Sequence, residues 1–191
     1  MTDPVPRVLV LAGPNGAGKS TTASRLLRDR FGIVTFVNAD TIATGLSGFD
    51  PGASALAAGR LMLQRVHEVA AARDDFAFET TLASRSFAPW LRKLQRSGYR
   101  VLVVFLWLPD VALAVSRVRG RVRLGGHAVP DDIIRRRYTR GIVNFRTEYA
   151  ALADSWWLYD NSGTRARLVA NRHSGRLRVA DRQAWQRFTQ A

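Results

Sequence analysis

Residues 9–27 read LVLAGPNGAGKSTTASRLL, and the glycines at their centre decide what must surround them. Residues 8–12 form a continuous apolar run, the pattern of a strand buried on both faces, and residues 20–27 have helical composition. Between them, Gly13, Pro14, Asn15, Gly16, Ala17, Gly18, Lys19 and Ser20 match G-x-x-x-x-G-K-[ST] at every fixed position. Glycine lets the backbone turn tightly and approach an anion with no Cβ in the way, so successive N–H groups can converge on phosphate oxygens. Lys19 is placed to reach the terminal phosphates, and the Ser20 hydroxyl, with Thr21 beside it, to ligate an accompanying Mg²⁺. The stretch therefore predicts a nucleoside triphosphate site and leaves the phosphoryl acceptor open.

Composition narrows the setting. A chain of 191 residues has the length of one domain, and 47% hydrophobic residues is enough for a sizeable core. The absence of cysteine excludes a disulfide scaffold, a thiolate metal site and a cysteine nucleophile. The first residues, MTDPVPR, lack the basic-then-apolar pattern of a signal peptide, and no apolar run is long enough to span a bilayer, so a cytoplasmic location without membrane association is expected. The net charge of +14 is carried almost wholly by arginine, whose planar fork suits phosphate. Some of these arginines are expected in the site and most on the surface.

Strand and helix signals alternate along the chain, which predicts an α/β fold of three layers, a mostly parallel sheet with helices on both faces. Strands are expected at 33–37, 76–78, 101–108 and 156–159, and a hairpin at 168–172 and 177–179. Helices are expected at 53–72, with Leu56, Leu63, Val66 and Ala70 near one face, and at 87–97, 111–124 and 131–152, with a short one closing the chain. No repeat or linker divides residues 1–191, so a single domain is expected, with the hairpin and last helix across 165–190.

Ligands in such sheets sit beyond the carboxyl ends of the strands, so polar residues there are the first candidates for chemistry. Asp40 follows TFVNA, on the expected ligand edge, and is read as taking the proton of an acceptor hydroxyl or orienting it for in-line attack, with capping of a helix starting at Thr41 as the alternative. Glu79 ends FAFE and is followed by Thr80 and Thr81, a group suited either to substrate binding and indirect Mg²⁺ positioning or to capping the next helix. The strand at 101–108 ends in WLPD, where Asp110 suits a helix cap, so it offers no clear Walker B acid. Residues 117–141, RVRGRVRLGGHAVPDDIIRRRYTRG, have the form of an arginine-rich lid hinged at Gly125 and Gly126, with His127 read as a loop hydrogen-bonding residue. Arginine brought in on closure can stabilise a phosphoryl group in flight.

GPNGAGKST, VNAD, FETTLAS, the GY before an apolar strand, RVRGRVRLGGHAVP, IIRRRYTRG with NF after it, and YDNS occur in an order that resembles the zeta-toxin family, in particular its short bacterial branch of predicted ATPases. The resemblance runs from about residue 7 to residue 162. It implies a P-loop kinase that uses ATP or GTP, with Mg²⁺, to phosphorylate the 3'-hydroxyl of UDP-N-acetylglucosamine, and a toxin restrained by a separate antitoxin protein. It further implies that Lys19 is the phosphate-loop lysine, Asp40 the carboxylate that activates the sugar hydroxyl, and Glu79, Thr80 and Thr81 the substrate-binding strand end. Arg121, with Arg135 or Arg137, would be the lid arginines, and Asn161 would lie near the nucleotide base. The chain departs from the longer toxins in its GGHAVP lid and carries no fused antitoxin domain. Two other readings stay open: a kinase of nucleic-acid 5'-hydroxyls, which the positive charge would suit, and a non-enzymatic nucleotide-dependent switch.

Overall fold

A computed structural model describes residues 5–47, 54–126 and 128–190. Seven strands form one sheet: β1 (Arg7–Ala12), β2 (Thr35–Val37), β3 (Phe76–Thr80), β4 (Arg100–Trp107), β5 (Ser155–Asp160), β6 (Arg167–His173) and β7 (Arg176–Val179). Their spatial order is β2-β3-β1-β4-β5-β6-β7. The first five are parallel to their neighbours, and β6 and β7 join by antiparallel pairing. β1 lies in the middle with β3 on one side and β4 on the other, so Val8 to Ala12 are wholly buried and the strand can read as an unbroken apolar run.

Among the described residues the helices are α1 (Lys19–Ser24), α2 (Ala39–Leu46), α3 (Ala55–Ala71), α4 (Phe87–Arg96), α5 (Val111–Arg123), α6 (Asp131–Asn144), α7 (Ala150–Leu152) and α8 (Arg182–Gln190). They cover both faces of the sheet. Successive strand residues point to opposite sides, and the tryptophan pair of β5 marks the two layers. Trp157 meets Phe31 at a centroid distance of 5.0 Å on one face, while Trp156 meets Phe145 at 5.6 Å and Trp185 of α8 at 6.1 Å on the other.

The α/β class and mostly parallel sheet are as expected, and the differences are local. α1 runs into a π-helical segment, Arg25–Arg30, and the helix expected over 131–152 is broken into α6, a π-helical turn Phe145–Tyr149 and α7. These π-helical segments are only 6 and 5 residues long, too short to register in the longer window over which periodicity is read. α2 stands where only a helix start was considered; ADTIATGL is weak in helix propensity. In α3 the buried stripe is Ala58, Met62, Val66 and Val69, and Leu56 (82% exposed) and Leu63 face outward. That corrects the expected face: small Ala58 packs inward while two leucines do not. Ala53 and His127 lie outside the described residues.

Candidate active site

The loop between β1 and α1 is shaped by what packs behind it. Gly13 has φ +143°, and a Cβ there would lie 2.2 Å from the Leu106 carbonyl oxygen of β4. Gly16 has φ +77° and would meet the Ala114 carbonyl oxygen of α5 at 2.6 Å. Both glycines are thus required twice over, by backbone conformation and by close approach. Asn161, just beyond β5, donates from Nδ2 to the Ala17 carbonyl at 2.7 Å and braces the loop from behind. Arg117 of α5 donates to the Asn161 and Ser162 carbonyls at 2.8 and 2.6 Å, locking that brace to the helix.

In front of the loop is a cleft of about 700 Å³. Lys19, 6% exposed, reaches back over the loop, and its Nζ donates to the Gly13 and Pro14 carbonyls at 2.9 and 3.0 Å. It also lies 3.5 Å from Oε1 of Glu79. Burial pushes the Lys19 ammonium below the usual lysine range; the Glu79 and Asp40 carboxylates pull it back up, and Arg121 pushes it down. The other Glu79 oxygen, Oε2, accepts from the Ser20 hydroxyl and from Asn38 Nδ2, both at 2.9 Å. Glu79 therefore serves the phosphate loop, not the next helix. Asp110 caps α5 by accepting from the Ala112 N–H at 2.8 Å, so the carboxylate beside the loop is the one on β3, the neighbour of β1 on its other side.

The opposite wall is α2. Its cap is Asn38, whose Oδ1 accepts the Asp40 N–H at 2.8 Å, so Asp40 sits inside the first turn with its side chain exposed to the cleft. Capping is thereby removed from the alternatives for Asp40. Thr41, Ala43 and Thr44 extend this wall, and Arg117, Arg121, Gly125 and Gly126 form the third.

Of the expected residues, Asn15, Gly16, Gly18, Lys19, Ser20, Thr21, Asp40, Glu79 and Arg121 line one cleft. Gly13 and Ala17 stand behind it and build its floor. Thr80 and Thr81 are turned away: their hydroxyls accept from the Leu82 and Ala83 N–H groups in a local turn, with Leu82 at φ +54°. Arg135 lines a separate groove with Val118, Val122 and Val129, and Arg137 lies outside the cleft lining. Asn161 meets the loop rather than the cleft. Asn38 and Arg117 are among the lining residues that sequence reading did not single out. Asn38 carried a signal, since Asn is a favoured cap immediately before a helix, and Arg117 stands one turn before Arg121 on the same face of α5.

A family model for the AAA domain matches residues 8–140, which takes in the loop, α2, Glu79 and both cleft arginines. The chain belongs to the AAA-domain family. An uncharacterized protein of Haemophilus influenzae is 28% identical over 132 residues, 69% of this chain and 92% of that protein. A chain of the AvrRxo1-ORF1:ORF2 complex crystallised with ATP has the same fold at TM-score 0.75 and 13% identity, over 96% of this chain. The present chain spans 63% of that one. A chain of the PezAT chromosomal toxin-antitoxin system of Streptococcus pneumoniae follows at TM-score 0.65 and 14% identity, covering 90% of this chain and 73% of that one. The fold shared with these chains is α/β with a mostly parallel sheet.

Proposed function

We propose that the chain is a kinase that moves the γ-phosphoryl group of ATP or GTP to the hydroxyl of a UDP-activated amino sugar such as UDP-N-acetylglucosamine. The observation that carries the kinase reading is the position of Asp40: a carboxylate exposed in the cleft, across from Lys19 and Ser20, whose capping duty is taken by Asn38. A nucleotide switch needs no carboxylate on that wall; a kinase does. The ATP in the crystals of the AvrRxo1 complex supports ATP as donor, and the resemblance to zeta toxins together with the PezAT likeness supports the sugar acceptor and a separate antitoxin partner. A donor of this kind suits a reaction in the cytoplasm, and no helix of the described residues is long and apolar enough to cross a membrane.

In this reading the loop N–H groups and Lys19 hold the phosphates, and Asp40 accepts the proton of the attacking hydroxyl. The new O–P bond forms as the bond to the β–γ bridging oxygen breaks, and the nucleoside diphosphate leaves. Ser20 Oγ and Glu79 Oε2, two hard oxygens 2.9 Å apart, fit Mg²⁺. When bound there, the ion would offset charge on the β- and γ-phosphates. Arg121 stands on the α5 wall beside Gly125 and Gly126, where it would offset charge on the transferring group, while Arg117 holds the Asn161 and Ser162 carbonyls behind it.

Mass spectrometry of acceptors incubated with the protein, ATP and Mg²⁺, with Lys19→Ala as blank, tests the proposal. A gain of one phosphoryl group on a UDP-amino sugar is the expected result. The net charge of +14, with seven arginines against Asp181 alone between residues 165 and 190, supports a second acceptor, a nucleic-acid 5'-hydroxyl. RNA therefore belongs in the same panel, and label on RNA alone would replace the sugar.

A further inference from the structure

Asn38 has no part in the reaction as set out above, yet it touches both walls of the cleft. It is 6% exposed. Its Oδ1 accepts the N–H of Asp40 at 2.8 Å, and its Nδ2 donates to Glu79 Oε2 at 2.9 Å and, more weakly, to Ser20 Oγ at 3.4 Å. A backbone N–H can only donate and an ionised carboxylate can only accept, so these partners fix which way the amide faces. The register explains why the two meet. β2 is a three-residue edge strand whose last pair with β3 is Val37 with Phe78, so the next residues, Asn38 and Glu79, fall side by side. The side-chain hydrogen bond carries the β2–β3 ladder one step past its backbone end.

We propose that Asn38 is a positioning residue that sets the distance between the phosphate-side pair Ser20–Glu79 and the acceptor-side carboxylate Asp40; this rests on the kinase reading above. An N-cap needs only an acceptor, which Ser, Thr and Asp also supply. The second half of the amide is surplus to capping. Aspartate in its place would set one carboxylate against another, serine is one bond too short to reach both partners, and glutamine is one methylene too long. In-line transfer is sensitive to misplacements of about 1 Å, and β2 has a strand neighbour on one side only, so the tie acts where the sheet itself holds the cleft least firmly.

The test uses Asn38→Ser and Asn38→Asp in the full chain, both of which keep a capping oxygen. Melting midpoints and ATP affinity in EDTA should match the parent, while single-turnover transfer falls about 10- to 100-fold. In both variants the gain in ATP affinity on adding Mg²⁺ should shrink as well, a readout that a merely structural role would not move. Rates and Mg²⁺-dependent gains equal to the parent's would overturn the proposal. So would a loss of rate matched by a loss of melting midpoint with an unchanged Mg²⁺-dependent gain, the mark of a residue that only supports the fold. If the parent itself phosphorylates no acceptor, it is the kinase reading that fails, and the tie is read from the gain in ATP affinity on adding Mg²⁺. A smaller gain in Asn38→Ser than in the parent supports the tie; an equal gain overturns it.

Discussion

At the β2–β3–β1 end of the sheet, Lys19, Asn38 and Glu79 bring polar groups below the surface and bind them to one another. At the β5–β6–β7 end, Trp156, Trp185, Phe145 and Phe188 close the structure, with arginines left on the outside. Buried charge is poor material for stability and apolar packing is good material. The difference teaches that the two ends answer to different demands: the aromatic end holds the fold, and the polar end carries the candidate site at some expense of stability. Substitutions should therefore separate cleanly into those that change reaction and those that change unfolding.

The largest effects belong to the polar end. Lys19→Ala should lower phosphoryl transfer at least about a thousandfold and weaken ATP binding with it, because the cation that meets the phosphates is gone. Asp40→Ala should lower transfer about 10²–10⁴-fold while ATP binding, measured by calorimetry, stays at the parent's value. Nucleotide affinity lost in both, or transfer retained in Asp40→Ala, would end the role given to Asp40.

The aromatic end provides the counterpart. Phe188 is fully buried, with its ring 5.5 Å from Trp107 and 5.8 Å from Phe145. Phe188→Ala should cost about 3–5 kcal/mol in urea unfolding, the range for an aromatic removed from a packed core, with ATP affinity of the folded protein unchanged. A loss of affinity as large as the loss of stability would mean that the two ends are not separate.

How far each end could be read in the sequence follows the same division. The central strands were legible because double burial writes them as unbroken apolar runs, and the phosphate loop because its glycines answer to one geometry. The contacts of Glu79 were not legible: whether it caps a helix or faces Ser20 depends on β3 lying beside β1, a long-range pairing that local spacing does not encode. Thr80 and Thr81 failed as site residues because hydroxyls beside a tight turn satisfy backbone N–H groups first. Arg135 and Arg121 look alike in an arginine-rich stretch, and only the relative rotation of α5 and α6 assigns them to different cavities.

Titration sharpens the comparison, since each end has a buried charged group of opposite habit. Burial lowers the Lys19 pKa from the ordinary 10.5. The folded protein gives up that proton before the unfolded chain does, so stability should rise as pH climbs from the folded value toward 10.5. Asp160 is 2% exposed; burial works to raise its pKa, but hydrogen bonds from Ser162 and Arg167 outweigh this and hold it below the ordinary 3.8. Its stabilisation is complete above 3.8 and is lost as pH falls through the lower folded value. Urea unfolding across pH should show Lys19→Met removing the alkaline rise and Asp160→Asn removing the acid loss. Each tenfold difference in proton affinity between the folded and unfolded chain is worth about 1.4 kcal/mol. An alkaline rise that persists in Lys19→Met would place the titrating group elsewhere.

The smallest effect is expected where the phosphate-loop helix meets the β5 aromatics in space. Arg30 ends the π-helical continuation of the phosphate-loop helix, yet its guanidinium lies 5.6–5.7 Å from the rings of Phe31, Trp157 and Tyr159 and donates to the Tyr159 hydroxyl. Arg30→Ala should cost about 0.5–1 kcal/mol of stability, the range for an exposed cation on aromatic faces. Arg30→Lys should recover only part of it, because an ammonium cannot lie flat on the rings while donating to Tyr159. ATP affinity and transfer should stay at the parent's values in both. If Arg30→Ala instead changes ATP affinity by more than its effect on stability, strain is being passed along residues 19–30 from the aromatic end to the loop. The π-helical turn would then be the joint between the two ends rather than a boundary.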